Sequence, residues 1–256
     1  YHLVDKINID KYVKQMESEI KTNEFPSDGL VLLFDDIAYG NSLGSTAKFP
    51  RNAIAFKWQD EVASTHLREI EWSASRTGLI NPVAIFDEVE LEGTTVERSS
   101  LHNISYIKSL ELGIGDEIEV YKANMIIPQI AKNITKSCKF EIPAKCPVCG
   151  ENTYIDDTNG VEVLMCPNAK CPAKHIKSFV HFASRDAMNI DGFSEATAEK
   201  FIQERFIKHF HDIYHLDDYR ENIVTMPGFG EKSYANLIDA VEKSRTTELY
   251  HLIYGL

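Results

Sequence analysis

No run of apolar residues approaches the roughly 20 that a helix needs to cross a bilayer, so a helical membrane span is excluded. The chain opens on Tyr1, with neither an initiator Met nor a basic-then-apolar leader. That start gives the expectation of a piece of a longer protein, and the paired cysteines of the chain suit a reducing cytosol. A positive net charge is also missing. With 39 acidic against 27 basic residues the formal charge is −12, which argues against a general nucleic-acid coat protein. Cysteine is scarce, five in 256 residues. A thioredoxin-type redox protein is excluded as well, because two cysteine pairs are present and no βαβ pattern surrounds either.

Four of those cysteines are organised. Cys146 and Cys149 form a C-x2-C knuckle, sixteen residues intervene, and Cys166 and Cys171 form C-x4-C. Each pair can converge on one ion while the loop between brings the pairs together, the pattern of a closed four-cysteine structural Zn²⁺ site. Bound zinc contributes about 10–16 kcal/mol to folding, which a loop-rich segment this small cannot obtain from a core. Cys138 stands apart as a bystander. From Lys122 to Arg185 basic residues exceed acidic ones by four, against the trend of the chain. That is either a phosphate-facing stripe or a solvated face.

With 256 residues there is room for two or more domains. Residues 10–24 predict an amphipathic helix with Tyr12, Val13, Met16 and Ile20 on one face. Residues 30–34 form a wholly apolar strand, expected to be buried on both sides. Ala53–Trp58 predicts a second strand containing a charge, Lys57. Burying a lysine is costly unless it is paired, so Lys57 either faces a cavity that holds an anion or reaches solvent from an edge. From 69 to 134 the texture becomes all-β. Glu69–Arg76, Val83–Phe86, Val89–Val96, Glu117–Tyr121 and Ile126–Ile134 are strand candidates, with a helix at Ser99–Leu110, an order that suits a small OB-type Greek-key barrel. Beyond the cysteines the chain reads as helical and repeats itself: Ile190–Ile202 aligns with Met226–Ile238 at an offset of 36. Each copy is a Gly-Phe-small turn before a helix that opens on Glu195 or Glu231. Gly192, Gly228 and Gly230 permit close backbone approach, and a helix N-terminus offers N–H groups to a phosphate without reading base identity. A hairpin that only packs is the plain alternative. Ile253–Leu256 reads as the approach to another copy.

Taken in order, these segments resemble the bacterial NAD-dependent DNA ligases. Asp28-Gly29-Leu30-Val31-Leu32 is similar to the family's nucleotidyltransferase strand, and Pro50 to Trp58 to the later motif whose lysine contacts the adenylate phosphate. Arg76-Thr77-Gly78, Gly93 to Val96 and Leu101-His102-Asn103 resemble the ligase barrel, while the cysteine clip and Met188 to Gly192 follow in the same order. The resemblance implies a multidomain α+β protein: residues 1–64 the end of an adenylation (nucleotidyltransferase) domain, 65–140 an OB-fold barrel, 141–175 a four-cysteine zinc finger, and 176–256 a truncated all-α helix-hairpin-helix domain. It also implies an enzyme that seals single-strand nicks in duplex DNA, in replication and repair, through enzyme-AMP and DNA-AMP intermediates. NAD is the AMP donor, Mg²⁺ the catalytic metal and Zn²⁺ the structural one. The implied setting is a monomer on nicked double-stranded DNA in the bacterial cytoplasm, at the nucleoid, with no membrane partner.

By the same resemblance Lys57 neutralises the adenylate phosphate of NAD, and Asp28 lies in the adenylation pocket as a Mg²⁺ ligand or a partner of the lysines. Arg51, Arg76, Thr77 and Lys122 approach the DNA, as do the three turn glycines. Three departures bear on activity. The nucleophilic lysine of the family's K-x-D-G motif has no counterpart, since Pro26 stands two residues before Asp28, and it is expected upstream of Tyr1. Leu33 replaces a lysine at the end of the Asp-Gly strand. Lys122-Ala123-Asn124-Met125 stands where the family has Arg-Ala-Gly-Asp, which loses the guanidinium fork and a carboxylate. A divergent or less active ligase branch, or a duplex-DNA clamp with no chemistry of its own, is the alternative.

Overall fold

The protein is described from a computed structural model, over residues 2–20, 22, 27, 29–58 and 60–256. It divides into two compact units, one of Tyr1–His66, Phe86–Ser99 and Glu117–Thr135, the other of Leu67–Ile85, Ser100–Asp116 and Lys136–Leu256.

The first unit begins with α1 (Ile9–Ile20), followed by β1 (Gly29–Leu33), α2 (Ile37–Ser42) and β2 (Ala53–Lys57). Asp36 caps α2 by accepting from the Tyr39 N–H at 3.0 Å, satisfying one of the donors a helix start leaves open. β1 and β2 pair antiparallel as a two-stranded ribbon, with Gly29 opposite Lys57 and Leu33 opposite Ala53. The expectation that β1 is buried on both sides is corrected: Val31 is 65 % and Leu33 63 % exposed. A two-stranded ribbon covers neither of its faces by itself, and these residues border an open groove of about 710 Å³ shared with Tyr12, Val13 and Met16 of α1.

The strands that follow are longer than the sequence punctuation suggests. β3 (Val62–Ala74) and β4 (Leu79–Leu91) have 13 residues each, and β5 (Thr94–Ser100), β6 (Glu117–Ala123) and β7 (Ile127–Asn133) complete the set. Pro82, Asp87 and Glu88 read as breaks in the sequence, yet β4 runs through them. Its alternate residues Ile80, Pro82, Ala84 and Phe86 are all buried, and that period of two is what fixes a strand to a core face. The Pro82 carbonyl accepts from the Leu101 N–H at 3.0 Å. The predicted helix from Ser99 is shorter than expected: Ser99 and Ser100 belong to β5, and α3 (Ile104–Ser109) starts where Asn103 accepts from Tyr106 N. In the first unit β6 lies between β3 and β7, with a register shift at Glu119/Val120.

In the second unit β8 (Tyr154–Asp156) and β9 (Val163–Met165) form a hairpin that continues the sheet from β4, Leu79 pairing with Met165 and Ile80 with Leu164. Six helical segments follow: α4 (Pro172–Ala183), α5 (Glu195–Gln203), a 3-10 stretch (Phe210–Tyr219), α6 (Arg220–Thr225), α7 (Glu231–Ser244) and α8 (Leu249–Gly255). Their core is aromatic: Phe179, Phe182, Phe193 and Phe201 are buried together with Leu237 and Val241, and Phe182 stacks on Phe210 at 4.6 Å between ring centroids. The repeated segments do open helices at Glu195 and Glu231, 36 residues apart.

Candidate metal clip and phosphate-facing lysine

The four cysteines singled out by spacing meet at one point. Their sulfurs lie within 4.8 Å of one another, with Cys146 Sγ 4.0 Å from Cys171 Sγ and Cys149 Sγ 3.6 Å from Cys166 Sγ. Zn–S bonds of about 2.3 Å in a tetrahedron give sulfur–sulfur edges of about 3.8 Å, so the set has the right size for zinc and is too wide for disulfides. Cys138 is exposed and outside the set. Local backbone makes each knuckle. In the first, Gly150 turns with φ +72 and donates to the Cys146 carbonyl at 2.9 Å; in the second, the Asn168 carbonyl accepts from Cys171 N at 3.2 Å. Cys171 is also the residue from which α4 starts, with Pro172 in the first turn, where its missing N–H costs nothing.

The thiols are not alike. A hydrogen bond from the Glu151 backbone, opposed by burial, brings Cys149 down to about 6. Burial pushes Cys166 up to about 12 and raises Cys171. Four thiolates in so small a space repel one another, and a dication at their centre reverses that cost. The four cysteines are therefore compatible with a structural zinc ion whose coordination shell is closed.

The clip also holds the turn between β3 and β4. Cys166 N donates to Gly78 O at 2.8 Å, and Lys174 Nζ reaches back to Cys166 O at 2.8 Å. Gly78 has φ +91, and a Cβ there would lie 2.8 Å from the Cys166 carbonyl. Arg76 and Thr77 occupy the exposed tip of this turn, where the Thr77 hydroxyl lies 3.0 Å from that of Ser75.

Lys57 ends β2. Its Nζ donates to Asn124 Oδ1 at 2.6 Å, across a cavity of about 110 Å³ that it lines with Trp58, Asp60, Glu92, Asn124 and Met125. Gly29, directly opposite Lys57, leaves no room for a side chain: a Cβ would fall 2.2 Å from Phe56 O. Asp28 and Pro26 lie outside the described residues. Arg51 is exposed in the loop before β2, its N–H bonded to Gly44 O at 3.0 Å. Sequence reasoning passes over Trp58, although it follows Lys57 directly, and takes Asn124 only as a family departure. Among the described residues the buried Trp58 Nε1 has no hydrogen-bond partner.

Lys122 requires a correction. It is only 4 % exposed; its ammonium donates to Leu91 O at 2.9 Å and to Thr94 Oγ1. A lysine inside a sheet must satisfy its donors on protein, and these two partners tie the β4–β5 turn, so in this conformation it does not face a nucleic acid.

At the helical repeats, Gly192 and Gly228 have φ +85 and +87, the left-handed region that favours glycine. Gly230 is extended, φ −169, a conformation any residue adopts. Among the described residues a Cβ at Gly192 or Gly230 would meet nothing closer than 4.0 Å, and at Gly228 the nearest atom is Lys200 Nζ at 3.7 Å. The first-turn acids are paired, Glu195 with Lys177 at 2.8 Å and Glu231 with Arg220 at 2.7 Å.

These features define a class: a mixed α/β protein that sets a cavity-lining lysine on a short ribbon and carries a four-thiol metal clip. Comparison with known proteins narrows it. Residues 2–61 match the NAD-dependent DNA ligase adenylation domain and residues 64–141 the NAD-dependent DNA ligase OB-fold domain. The chain is 63 % identical over 254 residues to a DNA ligase of Lachnoclostridium phytofermentans, covering 99 % of this chain and 39 % of that protein. It is 57 % identical over 253 residues to a DNA ligase of Ruminiclostridium cellulolyticum, covering 99 % and 38 %. A Carboxydothermus hydrogenoformans DNA ligase is 43 % identical over 235 residues, covering 90 % and 35 %. The chain belongs to the NAD-dependent DNA ligase family, and it spans about two fifths of the length of the first two of these relatives. Among the described residues no helix is long and apolar enough to cross a membrane.

Proposed function

We propose that this chain works in sealing single-strand nicks in duplex DNA, contributing part of the adenylate-phosphate pocket and a grip on the sugar–phosphate backbone. The observation that carries the reading is Lys57, held at a small cavity by Asn124, inside the segment that matches the ligase adenylation domain. NAD, when bound, supplies the adenylate group. Lys57 supplies a fixed positive charge where charge develops on the phosphate being transferred, which lowers the barrier by electrostatic preorganisation. Asp28, one residue from the glycine opposite Lys57, is assigned to the same pocket as a Mg²⁺ ligand or lysine partner.

The assigned domains are an adenylation segment over 1–64, an OB barrel over 65–140, a zinc finger over 141–175 and helix-hairpin-helix repeats over 176–256. Open space at Gly192 and Gly230 supports admission of a phosphate there, and exposure of Arg51, Arg76 and Thr77 suits backbone contact near a nick. The zinc ion serves as a clip, with no open coordination site for chemistry. We assign the protein to the bacterial cytoplasm and nucleoid, acting as a monomer. Replacing Lys57 with Ala in the complete natural protein and assaying nick sealing with NAD tests the reading; wild-type sealing would refute it. The other reading, a non-catalytic clamp on duplex DNA, is favoured by the open space at the Gly192 and Gly230 turns, which suits backbone binding without any chemistry. It predicts tight binding of nicked duplex with no sealing by the complete protein under any condition.

A further inference from the structure

The β3–β4 turn is closed by its own backbone. Gly78 N donates to Ser75 O at 3.1 Å and Ser75 N to Leu79 O at 2.7 Å, so Arg76 and Thr77 ride on a tight loop with an exposed tip. Its tilt is set from outside. Cys166 N donates to Gly78 O at 2.8 Å, and the carbonyl of the same cysteine accepts from Lys174 Nζ at 2.8 Å. The end of that lysine lies where a side chain on Gly78 would begin, with Cε 2.5 Å and Nζ 2.7 Å from the place of a Cβ. Glycine at 78 thus permits a φ of +91 and leaves the space that Lys174 fills. Lys174 belongs to the first turn of α4, which is anchored because Cys171 and Ala173 are buried with Ala74, Ile80 and Leu164. All of these groups lie in the second unit. A cation in the first turn of a helix opposes the helix dipole, so the stability of α4 does not account for a lysine there.

We propose that Lys174 is a positioning residue for the β3–β4 tip: packed over Gly78 and bonded to Cys166 O, it fixes the angle at which the turn presents Arg76 to a DNA phosphate. The angle matters because a guanidinium meets a phosphate through a planar fork of donors, and a tilted backbone spoils that match. This rests on the reading of Arg76 as a backbone contact given above.

The test uses the complete natural protein, zinc-loaded, with a nicked duplex oligonucleotide as the probe. Lys174→Met keeps an aliphatic stem over Gly78 and removes the donor to Cys166 O. We expect its Kd for the duplex to rise about fivefold, the size of one lost hydrogen bond felt through the tip. Arg76→Ala should also weaken binding, and should lower the log–log salt slope by about 0.9, one phosphate contact. The decisive variant carries both changes. Because Lys174 acts through Arg76, Lys174→Met should cost less than about twofold in the Arg76→Ala background, with no further change in salt slope. A further fall of about 0.9 in that background would make Lys174 itself a phosphate ligand and overturn the inference. An undiminished loss there at unchanged slope would overturn it too, since the damage would then be to the fold. Hydrogen exchange gives a second readout without DNA. In Lys174→Met the Gly78 and Cys166 amides should exchange faster while those around Phe179 and Phe201 stay protected; a general opening overturns the inference. Wild-type binding by Lys174→Met beside a weakened Arg76→Ala also overturns it and leaves the role of Arg76 standing. If Arg76→Ala itself binds like wild type, the reading beneath falls and this inference with it.

Discussion

Gly29 and Lys122 show how single residues set the geometry around the cavity. The backbone of β1 approaches β2 so closely at Gly29 that a methyl group would strike Phe56 O at 2.2 Å. Because the obstacle is main chain, Gly29→Ala must push the ribbon apart at the point where Lys57 pairs with it. We expect a stability loss of about 1–3 kcal/mol in denaturant melts, together with slower sealing. Lys122 is the opposite case, a charge with its donors used inside the protein. Lys122→Met keeps the aliphatic bulk but removes both bonds, and should cost about 1–3 kcal/mol of stability. The salt dependence of duplex binding should stay unchanged, since no phosphate contact is lost. A shallower salt slope in that variant would return Lys122 to the nucleic-acid surface. From sequence, Lys57 and Lys122 look alike, each a lysine in an apolar stretch. What separates them is the neighbouring strand: Asn124 at a cavity for one, the Leu91 carbonyl and Thr94 hydroxyl for the other.

Among the elements, the four-cysteine cluster is tied to a turn. β9 pairs with β4 at Leu79 and Ile80, Cys166 N bonds Gly78 O, and Lys174 closes over both. Gly78→Ala would bring a methyl within 2.8 Å of the Cys166 carbonyl, at a φ of +91 that penalises any side chain. The expected result is a loss of about 1–3 kcal/mol and faster transfer of zinc to a chelator, measured with a colorimetric zinc indicator. Full chelation at neutral pH should raise hydrogen exchange in the knuckles and in the first turn of α4, which starts at Cys171, before the aromatic core around Phe179 and Phe201 opens. Simultaneous exchange everywhere would mean that the metal is not a local clip. The clip was legible in sequence because C-x2-C and C-x4-C are local spacings that constrain sulfur positions. The length of β4 was not: Pro82, Asp87 and Glu88 are disfavoured in strands by local preference, and pairing with neighbouring strands overrides that preference.

For the molecule as a whole, the proposed function requires an acidic chain of net charge −12 to hold a polyanion. Binding must then depend on where the cations and open N–H groups lie, and the repeats supply Gly192 and Gly228 in left-handed turns with their first-turn acids already paired to Lys177 and Arg220. Binding to nicked duplex should weaken steeply with salt, by about 0.9 in log–log slope for each phosphate neutralised, and should vary little with base sequence. A strong sequence preference in a competition assay would rule out backbone recognition.

The sequence alone determined the family resemblance, the four converging thiols and the helix starts at Glu195 and Glu231, because each is written in spacings of a few residues that local geometry must obey. The tertiary structure alone decided which lysine faces a cavity, that Val31 and Leu33 are open on a two-stranded ribbon, and that the clip grips the Arg76-Thr77-Gly78 turn. Those outcomes depend on contacts between segments tens of residues apart, such as Lys57 with Asn124 and Gly78 with Cys166. Local spacing carries no record of which distant strand will supply the partner.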